Sequence, residues 1–386
     1  MITILIFILI LGLLVFVHEL GHFVVARRNG VRAEEFGFGF PPRIFGVYKN
    51  EQGKWKIVWG SKEVKSSDTI YSANWIPLGG FVKIRGEDGE EKNNPESFAA
   101  KSPFARIRIL AAGVLMNLFL AIAIFSLSFY LGVPQLAEEA VGGNVSSEKI
   151  QIVEVGKGTP SETMGMRMGD EILGSVNAEG QLVKFSSVED VQKYIGENKG
   201  NELVLNIRRG KEELKLSGVP RTEFPEGEGP LGIGLAKTVE VRYPWYQAIA
   251  KGVEYTFSLI LTFVTFLAGL IWRLIAGRPA GLDVSGPVGI AVLTGQVAQL
   301  GFGYLLRFTA MLSVNLAIIN VLPIPALDGG RILFILIEKI KGSPLSQKFE
   351  QRAHNIGFAL LISLMIFVTF RDVMKFDIVG KIKNLL

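Results

Sequence analysis

Four long apolar runs, separated by polar stretches, organise this chain of 386 residues. They extend from Ile2 to about Ala26, from Ile109 to about Val133, from Tyr304 to Ile340 and from Ile356 to Phe370. A helix needs about 20 consecutive apolar residues to cross a bilayer, so the pattern predicts a polytopic α-helical membrane protein with about four transmembrane helices. A further stretch, 245–276, has an uninterrupted apolar core only from Phe257 to Trp272, flanked by Lys251, Glu254 and Arg273. It reads as a helix lying in the interface rather than a crossing. Residues 33–100 are polar and glycine-rich, with a hairpin expected to turn around Asn50 to Gly53. Residues 69–86, TIYSANWIPLGGFVKIRG, read as two strands joined at Pro77 to Gly80. This β-hairpin is apolar enough to associate with the membrane, although a plain soluble hairpin fits the pattern equally well.

From about 140 to 236 the periodicity changes to that of an inserted α+β domain, with strands at IQIVEV, LVLNIRR and EELKLSGV and a helix at SSVEDVQKYIGEN. Its string TPSETMGMRMGDEILGSVNAEG, Thr159 to Gly180, resembles the PDZ signature. Such domains bind peptide ends or extended strands at a sheet edge, while the fold alone names no ligand. The expected division is 1–139 for the first two transmembrane helices and the hairpin loop, 140–236 for the PDZ-like domain, and 237–386 for the interfacial helix and the last two crossings.

Composition sharpens this picture. A hydrophobic share of 49% and a mean hydropathy of +0.35 are too high for an ordinary soluble protein. The net charge of +5, from 41 basic and 36 acidic residues, comes largely from clusters beside the apolar runs. It speaks of orientation in a lipid bilayer and not of nucleic acid. Arg27, Arg28 and Arg32 follow the first run, and Lys101, Arg106 and Arg108 precede the second. That puts the loop between them on the cytoplasmic side and the PDZ-like domain outside. The first run lacks a basic leader and a small-residue cleavage site, so it reads as a retained helix. Cysteine is absent, which excludes thiolate ligands and leaves His, Asp, Glu or water to hold any metal.

The chemistry is concentrated in residues 15–26, VFVHELGHFVVA. On a helix His18 and His22 share a face and can reach one metal ion, and Glu19 can address its water. The chain has three histidines, and two of them form this pair inside an apolar segment, where ionisable groups are costly and point to function. The third, His354, reads as an interfacial residue. In NVLPIPALDGGR, Asn320 to Arg331, two prolines and two glycines are expected to unwind a membrane helix around Asp328. An aspartate among apolar neighbours is the best available third ligand. Gly113 and Asn117 lie one turn apart in the second run, a spacing that favours close helix packing over a catalytic role.

Together, HELGH, PLGGFVKIRGE, the PDZ-like insert, SGPVGI, NVLPIPALDGG and KIKG resemble the site-2 protease family of intramembrane zinc metalloproteases. The likeness is greatest to the bacterial regulator of sigma-E protease branch, and it covers nearly the whole chain. It implies Zn2+ held by His18, His22 and Asp328, Glu19 as general base and Asn320 steadying the oxyanion. It also implies a site lined by Gly113 and Asn117, and a loop at Gly79 and Gly80 that holds substrate as an added strand. The substrate class it implies is a transmembrane protein, such as a single-span anti-sigma factor or a signal-peptide remnant, cut in the bacterial cytoplasmic membrane. Two other readings stay open on sequence, a metal transporter and an inactive PDZ-bearing scaffold. For the Asp328 segment to reach the zinc it must run inward, so 245–276 is expected not to cross, leaving both termini outside.

Overall fold

A computed structural model describes residues 2–375 apart from 65, 67, 90, 138–143, 146–147, 177–180, 211, 226 and 279–284. The last four residues of the PDZ-like string therefore lie outside the described residues. The first half of the chain forms α1 (Ile2–Arg28), β1 (Ala33–Lys49), β2 (Trp55–Trp59), β3 (Ile70–Ile84), α2 (Pro103–Leu131), β4 (Val133–Leu136), β5 (Asn144–Val145), β6 (Lys149–Val155), α3 (Pro160–Thr163), β7 (Glu171–Val176) and β8 (Leu182–Lys184). There follow α4 (Val188–Glu197), β9 (Leu203–Arg209), β10 (Glu212–Gly218), β11 (Ile233–Arg242), α5 (Trp245–Ile275), α6 (Pro287–Leu300), α7 (Phe302–Val321), α8 (Asp328–Lys341) and α9 (Gln347–Lys375). Five of these helices, α1, α2, α5, α7 and α9, are long and apolar enough to cross a membrane. The additional one relative to the sequence pattern is α5, which runs unbroken through its charged flanks.

The chain divides into two compact units, Met1–Phe125 with Gly252–Gln296 and Arg307–Leu386, and Ser126–Lys251 with Val297–Leu306. In the first unit, α1 is backed by the sheet β2-β1-β3. The expected turn is present: Asn50 Oδ1 accepts from the amides of Gln52 at 3.1 Å and Lys54 at 2.9 Å, and Gly53 takes φ of +75°. The second expected hairpin is different. Residues 70–84 are one bent strand, and its two halves pair not with each other but with the two edges of β1, so that Phe36 faces Val82 on one side and Tyr71 on the other. The reason is packing on α1. Gly79 has φ of +88° and leaves no space for a Cβ beside Val15, and Phe36 stacks on Phe23 of α1 at 4.7 Å. Inserting β1 between the halves of β3 buries these apolar faces together. Gly21 in turn lies against the Ala112 carbonyl, with no room for a side chain, so α1 and α2 approach closely just where the histidines stand.

The second unit holds the sheet β10-β9-β7-β6-β11-β4. Its core includes Ile150, Ile152, Ile172, Val191, Leu205 and Ile207, the inward positions of alternating strands and of one face of α4. Ser187 opens α4 with a capping box to Asp190, which satisfies amides that would otherwise lack partners. The unit reaches beyond 140–236 because β4, before that range, pairs with the end of β11 through Val133 and Val241.

Candidate metal centre

Residues from α2 and α8 meet the α1 residues His18 and His22. Both imidazoles are buried, and their Nε2 atoms are 3.1 Å apart. Asp328, the first residue of α8, places Oδ2 3.1 Å from His18 Nε2 and 3.4 Å from His22 Nε2. The other ring nitrogens are engaged elsewhere. His22 Nδ1 lies 2.9 Å from the carbonyl oxygen of Ile109; since a carbonyl can only accept, Nδ1 carries the proton and Nε2 is left with a lone pair. His18 Nδ1 faces the carboxamide of the fully buried Asn117 at 3.3 Å. The atom at that distance is Nδ2; turning the carboxamide over sets Oδ1 there as acceptor for a proton on Nδ1 and gives a partner to an Asn117 Oδ1 otherwise buried without one. Orientation of a metal-binding imidazole through its far nitrogen is the usual device.

In that orientation the three facing atoms are all acceptors: two imidazole lone pairs and a carboxylate oxygen that is buried with no hydrogen-bond partner. A cation is what such a triangle fits. Ligand atoms about 2.0–2.1 Å from a tetrahedral zinc lie about 3.3–3.4 Å from one another, which is the spacing seen. His18, His22 and Asp328 could thus hold a metal ion. The donor set contains no sulfur, as the absence of cysteine requires.

Glycines make this approach possible. A side chain on Gly113 would run into both imidazoles, so the spacing of Gly113 and Asn117 marks a close approach, but to the histidines as well as to a helix. Ser313 of α7 donates to the carbonyl of Asn117 at 2.8 Å and fixes that stretch of α2. The two glycines after Asp328 have a similar purpose: Gly329 lies on the carbonyls of Val321 and Leu322, and Gly330 on that of Ile324. The turn between α7 and α8 is thereby folded tightly back, bringing the residues that follow Asn320 beside Asp328. Asn320 itself is partly buried on the last turn of α7.

Glu19, His22, Val82, Ile84, Asp328 and Arg331 are among the residues lining a cavity of about 140 Å³. Val82 and Ile84 belong to the second half of β3, whose other edge, Gly80 to Ile84, has no strand partner among the described residues. Gly80 itself lies against Phe16 of α1, and a Cβ there would be 3.2 Å from the Phe16 Cα. Arg331 forms an ion pair with Glu87, from the loop after β3, at the rim of the same cavity. Arg106 and Glu338 at 3.0 Å tie the start of α2 to the end of α8. His354, on α9, accepts from the Ala326 amide at 2.8 Å and so touches the turn before Asp328. Glu87, Arg331 and His354 are not singled out by sequence spacing: the first two are 244 residues apart.

Comparison with known proteins accords with this geometry. A chain of Clostridium perfringens, provisionally named a zinc metalloprotease, is 34% identical over 362 residues, 93% of this chain and 95% of that one. The zinc metalloprotease RasP of Oceanobacillus iheyensis is 31% identical over 461 aligned residues, 97% of this chain and 99% of its own. RasP of Geobacillus kaustophilus is 29% identical, covering 96% and 97%. Residues 6–364 match the model of peptidase family M50. The chain therefore belongs to peptidase family M50, the site-2 protease family that its motifs resemble.

Proposed function

We propose that this membrane-embedded peptidase cleaves transmembrane proteins at a zinc centre made by His18, His22 and Asp328, with Glu19 as general base. The observation that carries the reading is the triangle of two Nε2 atoms and Oδ2, all within 3.4 Å of one another. Zinc held there supplies Lewis acidity to a water nucleophile and to the peptide carbonyl. Glu19, in the same cavity, takes the proton of the attacking water and returns it to the leaving amine. Asn320, on the turn packed beside Asp328, is the proposed donor to the developing oxyanion, a contribution of about 3 kcal/mol for one well-placed donor. Gly113 leaves room for the imidazoles and Asn117 orients one of them.

A transmembrane helix hides its carbonyls in its own hydrogen bonds and must unwind before it can be cut. The free edge at Gly80 to Ile84 offers replacement bonds, with Gly79 and Gly80 setting its close approach to α1. The substrates are membrane proteins with one or few spans, an anti-sigma factor being one candidate. Among the described residues a single His, Asp and Glu cluster could hold a metal, which disfavours a transport path of successive sites. The inactive scaffold does not account for Glu19 in the cavity. Glu19→Gln tests the assignment: zinc content stays, while hydrolysis of a membrane substrate by purified, metal-loaded protein falls by about 10²–10⁴-fold. Retained hydrolysis removes Glu19 as the base.

We read the unit around 140–236 as a PDZ-like domain outside the bacterial cytoplasmic membrane. In support, β11 is paired with β4 only from Thr238 to Val241, which among the described residues leaves Ile233 to Lys237 with an open edge beside α4. Four helices, α1, α2, α7 and α9, are the crossings in this reading, with α5 in the outer interface. In intact cells, a cysteine introduced at Ser285 then labels with an impermeant thiol reagent and one at Ser343 does not. Failure of Ser285 to label overturns this topology.

A further inference from the structure

Asp328 owes its place to the turn that precedes it. Two residues earlier, Ala326 has φ of +80°, a left-handed conformation that among the described non-glycine residues occurs only here and at Glu91. A left-handed alanine is disfavoured because its Cβ crowds the backbone, so surrounding structure must hold it. The turn's own backbone bonds leave the Ala326 amide out: Ile324 N–H reaches Leu322 O at 2.7 Å, Leu327 N–H reaches Ile324 O at 3.1 Å, and the Gly330 and Arg331 amides reach Leu327 O at 3.1 and 3.2 Å. Leu327, at the N-cap of α8, offers no side-chain cap.

The Ala326 amide is held from another helix. It donates to Nδ1 of His354 at 2.8 Å, and since an amide nitrogen can only donate, the imidazole is the acceptor at Nδ1. Gly357, one turn further along α9, has no room for a Cβ against the Pro325 carbonyl, so α9 lies directly on the turn. Phe334 of α8 holds the imidazole edge-on, with ring centroids 5.4 Å apart and planes at 87°. The ring is thus fixed, and its Nδ1 bond goes to the residue whose backbone is strained.

We propose that His354 is a positioning residue of the metal centre: its Nδ1 holds Ala326 in the left-handed conformation that turns Asp328 toward His18 and His22. The inference rests on the reading of Asp328 as a ligand. His354 touches none of the three metal-holding groups, and its effect passes through the Ala326 amide.

Zinc affinity of the full-length protein in detergent, measured by competition with a chromogenic chelator, tests it beside thermal unfolding in metal-free buffer. His354→Leu removes the acceptor and is expected to lower zinc affinity about 10- to 100-fold, the usual effect of losing an outer-shell partner. His354→Asn can place Oδ1 where Nδ1 stood and is expected to recover most of the affinity. Adding Ala326→Gly to His354→Leu is expected to recover part of it, because glycine adopts positive φ without penalty. His354→Phe, which keeps a ring against Phe334, replaces the leucine variant if that one does not fold. Wild-type affinity in His354→Leu, with affinity lost in Asp328→Ala, overturns the positioning role and leaves the ligand reading standing. Wild-type affinity in Asp328→Ala overturns the ligand reading itself. Equal loss in the leucine and asparagine variants, with lowered metal-free stability and no rescue by Ala326→Gly, reduces His354 to a structural contact and also overturns the proposal.

Discussion

Asp170 in one unit and Asp328 in the other are both withdrawn from solvent, yet they are surrounded in opposite ways. Asp170 is 1% exposed, and its carboxylate accepts from Arg209 Nε at 2.8 Å, Arg209 Nη2 at 2.7 Å and the Arg167 amide at 2.8 Å. The pairing also holds the Arg209 guanidinium above its usual range, through the hydrogen bonds it donates to Asp170. Both carboxylate oxygens are met by donors, as expected where burial serves folding. Asp328 Oδ2 is buried without a hydrogen-bond partner and faces two imidazole nitrogens at 3.1 and 3.4 Å. A buried carboxylate without donors is a cost to the fold, and such costs persist where they serve a site. The Asp328 side chain is 18% exposed against 1% for Asp170, yet its Oδ2 is buried, so at that atom the difference between the two aspartates is one of withheld partners.

The largest effect comes from breaking the unsatisfied member. Asp328→Ala is expected to remove bound zinc and to lower cleavage by about 10³-fold or more, since a three-ligand site loses a ligand. Thermal unfolding in the presence of a chelator should show no loss of stability, because the carboxylate removed had no donor to lose. Zinc that stays stoichiometric by metal analysis would place the third ligand elsewhere. Asp170→Ala should do the reverse. Breaking a fully buried pair costs about 3–5 kcal/mol. Arg209 is 24% exposed, so solvent relieves part of this and about 2–3 kcal/mol is expected. Hydrogen exchange of the strands β7 and β9 reads that loss, while zinc content and the metal centre stay as they were. Zinc lost in Asp170→Ala would erase the contrast.

How far these features can be read from the sequence depends on what kind of signal each leaves. HELGH is legible because both imidazoles are fixed by helix periodicity alone. Asp328 is legible because an aspartate among prolines and glycines in an apolar run is too costly to keep without a cation or a donor to meet it. Gly113 and Asn117 are half legible: their spacing announces close packing, but that the surface packed against is two imidazoles depends on the crossing of α1 and α2 at Gly21 and Ala112. The β3 arrangement is misread because apolar alternation gives strands without partners. Two strand halves next to a turn suggest a hairpin, whereas the pairing energy here is found with β1 on both sides. The roles of Glu87, Arg331 and His354 leave no local trace. Each acts through a contact to another element, and in His354 the contact is to a backbone amide, which no side-chain pattern can announce.

The smallest effect is expected at a third aspartate, which lies in the same unit as Asp328 but behaves like Asp170. Asp372 near the end of α9 is 1% exposed, and its Oδ2 accepts from the amides of Gly286 at 2.8 Å and Gly289 at 2.7 Å. These amides stand at the beginning of α6, where the first turn has no partners of its own, so a side chain 83 residues away in sequence caps the helix. The glycines of SGPVGI then have a reason: a Cβ at Gly289 would come within 2.9 Å of the carboxylate, and one at Gly286 within 3.1 Å. Capping by a carboxylate is worth about 1–2 kcal/mol, and the helix dipole adds to it when the acceptor is charged. Asp372→Ala is therefore expected to lower stability by about that amount in thermal unfolding, and Asp372→Asn by less, because its carboxamide oxygen still accepts. Zinc content and cleavage should match the wild type in both. A loss of zinc in Asp372→Ala, with Asp372→Asn unaffected, would show that this cap supports the metal centre, and satisfied aspartates could then no longer be set apart from the one that serves it.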